Sequence, residues 1–156
     1  MTRHANSSAG AILGAMAKLL RAEFGGKRGA AVAVADDPAH AMELLAAGKP
    51  GGLEIVIFYH ADAPAGQEGL AGDPLVEGQI SLGVVRSRGL AARPAGEPPP
   101  ALADAEAVRT FLARADAAGT LTGSYEYAGM TALQSRPGEF LHGYALAYKV
   151  LYAFET

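Results

Sequence analysis

A stretch near the C-terminus most constrains the fold. From Phe140 to Phe154 the chain reads Phe-Leu-His-Gly-Tyr-Ala-Leu-Ala-Tyr-Lys-Val-Leu-Tyr-Ala-Phe. The even positions (Phe140, His142, Tyr144, Leu146, Tyr148, Val150, Tyr152, Phe154) are nearly all large and apolar or aromatic. The odd ones (Leu141, Gly143, Ala145, Ala147, Lys149, Leu151, Ala153) are mostly small. A strand sends successive side chains to opposite faces, so the pattern predicts a strand with a bulky face and a slim face. A helix would scatter the same aromatics around its axis. Fully extended, the stretch spans about 50 Å at roughly 3.3 Å per residue, against a usual strand of about 5–6 residues. Such a strand is either bent or serves as the long spine of a sheet.

The other elements follow from periodicity and punctuation. Ile12, Leu13, Met16, Leu19, Leu20 and Phe24 form one helical stripe over Ala9–Phe24, capped by Ser7 or Ser8 and closed by Gly25-Gly26. Gly29–Ala35 is a short strand of small residues. Asp36-Asp37-Pro38 starts a helix that runs to about Ala47. Leu53–His60 is apolar on both faces beyond Glu54, which suits an interior strand. Ala61–Pro74 is polar and rich in Gly and Pro, and is expected to be a loop. Val76–Gly89 alternates as a strand, and Ala91–Ala101 is a second loop with a Pro98-Pro99-Pro100 run. Leu102–Ala118 carries a helical stripe. Ser124–Ser135 is a strand with Tyr125, Tyr127, Thr131 and Leu133 on one face. The turn Arg136-Pro137-Gly138-Glu139 joins it to the final strand as a hairpin.

Residues 1–8 are thus expected to be a loose N-terminus and residues 9–156 a single α+β domain. Its sheet is mainly antiparallel and twisted, with the helices packed on one face. At 156 residues, half of them hydrophobic, the chain can build a core, although much of that half is alanine. The net charge is −3 and the Lys and Arg residues are scattered, so no basic stripe marks a nucleic-acid binder. Without cysteine there is no disulfide or thiolate site. No run of about 18 apolar residues predicts a membrane helix. The opening Met-Thr-Arg-His-Ala-Asn-Ser-Ser lacks the basic-then-apolar order of a signal peptide, so the expectation is a cytosolic product with no membrane partner.

Catalytic motifs are sparse. His60-Ala61-Asp62 follows a strand and enters the expected loop, so a metal or small-ligand site there is conceivable. A solvated loop histidine is the plainer reading, since no second pair with ligand spacing exists. No Gly-x-Ser-x-Gly occurs. Gly25-Gly26-Lys27 follows a helix and precedes a strand, the reverse of a phosphate-binding loop. Asp36-Asp37 is explained by the helix dipole. No catalytic residue, metal ligand or cofactor is therefore assigned. Candidate interface residues are the basic cluster Arg86, Arg88 and Arg93, of which Arg86 and Arg88 share a strand face, and Tyr125 and Tyr127 in the tyrosine-rich hairpin; solvation of the arginines and core packing of the tyrosines with hydroxyls at the rim are the plainer readings.

The order of these segments resembles the tail terminator, or tail completion, proteins of long-tailed bacteriophages. The likeness rests on the helix Ala9–Phe24, the strand segment Glu54-Ile55-Val56-Ile57-Phe58 and the segment Glu77-Gly78-Gln79-Ile80-Ser81-Leu82-Gly83-Val84-Val85 with Arg88-Gly89-Leu90. It continues through the helix Ala103–Ala118 and the closing Tyr144-Ala145-Leu146-Ala147-Tyr148-Lys149-Val150. It spans most of the chain but contains no diagnostic motif. The resemblance implies a small α/β subunit that assembles as a homo-hexameric ring at the head–tail junction of the virion, built in the host cytoplasm. Such a ring caps the tail tube, ends its polymerisation and meets the head-completion or connector protein, while genomic DNA passes through the lumen without sequence-specific binding. The expected function is association and not catalysis. Two alternatives remain: another phage tail, neck or contractile-injection component, and a small cytosolic enzyme or ligand-binding domain using the His60/Asp62 loop.

Overall fold

The protein is described from a computed structural model covering residues 8–26, 28–48, 52–68, 74–87, 96–133 and 141–153. Its elements are α1 (Ala9–Phe24), β1 (Ala31–Val34), α2 (Pro38–Ala46), β2 (Leu53–Glu68), β3 (Pro74–Ser87), α3 (Pro100–Ala117), β4 (Ser124–Ala132) and β5 (Leu141–Ala153). This is the order that the periodicities predict. The expected loose N-terminus, save Ser8, and the Arg136–Glu139 turn lie outside the described residues.

Local chemistry sets most boundaries. Ser8 caps α1 by accepting from the Ala11 amide at 3.1 Å. Asp37 caps α2 by accepting from the His40 amide at 2.7 Å, with Pro38 in the first turn. Past α3, Gly119 takes φ 73°, and the Thr120 amide reaches back to the Ala115 carbonyl at 3.0 Å. Gly25 ends α1 differently from expectation, since it stays right-handed with φ −74°.

The five strands form one mixed, mostly antiparallel sheet in the order β1-β2-β3-β5-β4. Only the β1–β2 pair is parallel. The C-terminal strand β5 is indeed the spine. It pairs with β3 from Leu141 to Ala153 and with β4 on its other side. Its bulky face is buried, with Leu146 and Val150 at 0% exposure. Leu53, Ile55 and Ile57 of β2 and Ile80, Leu82 and Val84 of β3 share that face. α1 and α3 cover it with Ile12, Met16, Leu20, Phe24, Val108 and Leu112. Each such large apolar side chain contributes about 1.5–3 kcal/mol on burial.

The expectation that the helices share one face is corrected. α2 lies on the opposite face, where Ala41 and Leu45 pack on Val56 and Val85. Those strand residues are out of phase with Ile55, Ile57 and Val84, so they point the other way. β2 is apolar on both faces because each face has its own helical cover. Gly83 admits α2 closely: a Cβ there would stand 2.7 Å from Leu45 Cδ1.

Two further expectations change. Most of Ala61–Pro74 is strand and not loop. β2 continues to Glu68, with Ala61 to Pro64 paired to Gln79 through Val76. Residues 61–64 are exposed, so backbone hydrogen bonds build the ladder without an apolar alternation. In β4 the register slips between Tyr127 and Gly129, which leaves Ala128 as a bulge. Tyr125 and Tyr127 therefore share a face with Met130, opposite Val150, Tyr148 and Leu146. Thr131 and Leu133 turn to the α2 side, where Leu133 packs with the smaller cluster.

Candidate functional site

The bulge in β2 at His60 separates the two residues that the sequence places in one candidate site. Tyr59 pairs with Ile80 and Ala61 with Gln79, so His60 is the inserted residue. Its ring lies 4.2 Å from Phe58 and hydrogen-bonds the Ser81 hydroxyl on the α2 side. Asp62 pairs with Gly78 on the other face. There its carboxylate accepts from the Tyr59 hydroxyl at 3.0 Å. His60 and Asp62 thus point away from each other. Among the described residues, no group of three or more His, Asp or Glu side chains could hold a metal ion.

Tyr59 ties the hairpin base to the spine. Its hydroxyl lies 2.8 Å from that of Tyr152 in β5, across β3. The ring passes over Gly78, where a Cβ would meet the Tyr59 oxygen at 2.5 Å. Burial first, then the hydrogen bonds to Tyr152 and Asp62, push the Tyr59 phenol far above its ordinary range. Alongside this clasp, residues 61–64 at the β2 edge have exposed side chains.

On the α2 side a cleft of about 200 Å³ opens between helix and sheet. Gly83 and Ala145 floor it, and Pro38, Met42, Leu45 and Leu133 wall it. Phe58 and the His60–Ser81 pair stand at one end. The walls are apolar and that pair is the polar feature. Asp36 stands just before α2 with its side chain 90% exposed. The Asp36 amide donates to His40 Nδ1 at 3.0 Å, so that nitrogen offers a lone pair and its 3.5 Å approach to the Asp36 carboxylate is not an ion pair.

The candidate interface residues have different fates. Arg86 is engaged inside the molecule. Its Nε donates to Asp104 Oδ2 at 2.8 Å and its Nη2 to Oδ1 at 3.0 Å, a bidentate pair joining β3 to α3. Asp104 is 7% exposed. Arg88 and Arg93 lie outside the described residues. Tyr125 is half-buried beside Tyr148. Tyr127 is 41% exposed, its ring edge-on to Tyr148 at 5.6 Å, with the Arg109 guanidinium 5.6 Å from its centre. Tyr127 with Arg109 is therefore the presented part of the tyrosine cluster.

The two ends of the sheet differ as well. On β1, Arg21 of α1 donates to the Val32 carbonyl from Nε at 3.1 Å and Nη2 at 3.0 Å, covering part of the outer edge. β4 forms the opposite edge and carries Tyr127. Neither the cleft nor the Arg109–Tyr127 pairing has a local sequence signal, since each depends on long-range packing. Compared with models of known protein families and with curated protein sequences, the chain matches none.

Proposed function

We propose that the chain is a virion structural protein of the tail-terminator type. In this reading it forms a homo-hexameric ring that caps the tail tube, ends its polymerisation and joins the tail to the head connector, with DNA passing through the lumen. The observation that carries the reading is the distal half of β2: past the end of β1, residues 61–64 are paired to β3 on one side only among the described residues, with their side chains in solvent. An exposed strand edge anchored to an interior strand suits contact with another protein in an assembly. The α+β subunit and its element order are in keeping with the resemblance.

A second reading, a small enzyme or ligand-binding domain, draws on one observation, the His60–Ser81 pair beside an apolar cleft. The two readings separate in one experiment. The purified chain is added to tube protein from the same gene cluster during polymerisation, and tube lengths and ends are measured by negative-stain microscopy. Capped ends and shorter tubes are expected, whereas the His60→Ala variant caps as well as the parent. Tubes of unchanged length with uncapped ends would overturn the terminator reading.

A further inference from the structure

We infer that the α2 cleft is a socket for Tyr127 of a second copy of this chain, so that subunits join head to tail. The inference rests on the ring reading and names the surfaces that would build the ring. Three observations converge on one occupant.

The first is the chemistry of the socket. It is about 200 Å³ in volume, apolar along its walls and polar at one end, where His60 meets Ser81. A tyrosine has the matching form, an apolar ring with one hydroxyl at the tip. The second is what this chain presents. Among the described residues, Tyr127 and Val34 are the large apolar side chains most open to solvent. Of these only Tyr127 carries a polar tip, and its rotamer is supported by Tyr148 and Arg109. An exposed tyrosine backed by an arginine is the composition favoured at interface hot spots. The third is charge. Arg109 accompanies Tyr127, while Asp36, 90% exposed, stands beside the helix start that walls the socket. Seating the ring brings a cation toward a carboxylate, which favours this register over others.

Plug and socket lie on opposite faces of the sheet: Tyr127 is opposite Tyr148 on the α1/α3 face, and the socket is on the α2 face. One chain therefore carries two different complementary patches. Such a contact is heterologous: it does not stop at a two-fold dimer, and it builds a ring where the rotation between subunits closes. The polar pair at the socket's end then has a structural use in binding the incoming phenol.

The test exploits the absence of cysteine in the chain. Full-length Tyr127→Cys and Met42→Cys chains are mixed, oxidised gently and resolved by mass. Disulfides between the two variants are expected, with few within either alone. Light scattering on the cysteine-free proteins supplies the second arm. Tyr127→Ala and the socket-filling Ala145→Leu should reduce the multimer to single chains. Arg109→Glu should weaken association about tenfold, and adding Asp36→Lys should restore it. Folding of every variant is checked by circular dichroism, and the charge swap leaves Tyr127 and the socket-lining residues themselves unsubstituted. If multimers persist in Tyr127→Ala, or if Tyr127→Cys chains join mainly to themselves, the socket is wrong while the ring reading stands. If the parent is a single chain both free and on tube ends, and no mixed disulfide forms, both fall.

Discussion

At the scale of single residues, the buried tyrosines of the β4–β5 hairpin are the least expected feature. The Tyr125 and Tyr148 hydroxyls are buried with no hydrogen-bond partner. An unpaired buried hydroxyl costs stability that a phenylalanine would not. Tyr148→Phe should therefore be neutral at pH 7, or more stable by up to about 1 kcal/mol, as read by urea unfolding. Burial, reinforced by Tyr127 and opposed by Arg109, raises the Tyr148 phenol above its ordinary value. The folded state then holds its proton where an unfolded tyrosine, with a pKa of about 10, releases it. The sign follows: this contribution is fully present below about pH 10 and is lost as pH rises toward the folded value. The parent should lose stability above about pH 10 more steeply than Tyr148→Phe. A loss above about 1 kcal/mol at pH 7 in the variant would show that the hydroxyl has a partner after all. Sequence pattern places these tyrosines on a strand and on one face but cannot reveal an unpaired hydroxyl. Arg86 is the converse case. Its neighbours in the chain suggest a surface cluster, and only the fold brings Asp104 to it from 18 positions away.

At the scale of elements, helices and interior strands are legible in the sequence because one-sided burial imposes a period. α1 is legible over its whole length, Ala9–Phe24. The distal part of β2 is not, because residues 61–64 face solvent and read Ala-Asp-Ala-Pro instead of an apolar alternation. Bulges hide for a related reason. A one-residue insertion at Ala128 reverses the faces of Thr131 and Leu133 without altering local composition. The distal part of β2 is tied to the rest of the sheet where Tyr59 bonds Tyr152 and Asp62. Tyr59→Phe keeps the ring over Gly78 and removes both bonds. Amide hydrogen exchange at residues 61–64 should quicken several-fold, while Ile55 and Ile57 stay protected as before. Unchanged exchange at residues 61–64 would show that this edge needs no clasp.

At the scale of the whole molecule, the sheet divides the core unequally. The α1/α3 side holds the large cluster around Ile12, Leu20, Ile57, Leu82 and Leu146, whereas the α2 side buries mainly Ala35, Ala41, Leu45, Val56 and Val85. Periodicity identifies which stripe of α2 is apolar, but not which sheet face receives it. The expected single-faced arrangement failed on that missing information. The thinner side is also the one that carries the proposed socket. Fewer buried side chains mean a cheaper local opening, so α2 should exchange its amides through a sub-global event below the free energy at which α1 and α3 exchange. Leu45 is 3% exposed and seats over Gly83, so Leu45→Ala should cost about 2–5 kcal/mol at α2. If the opening is independent, the variant lowers protection in α2 by more than in α3. If amides of α1, α2 and α3 instead fall together, the two clusters form one cooperative unit. Such a result would mean that a partner seated on the α2 face stabilises the entire subunit and not that face alone.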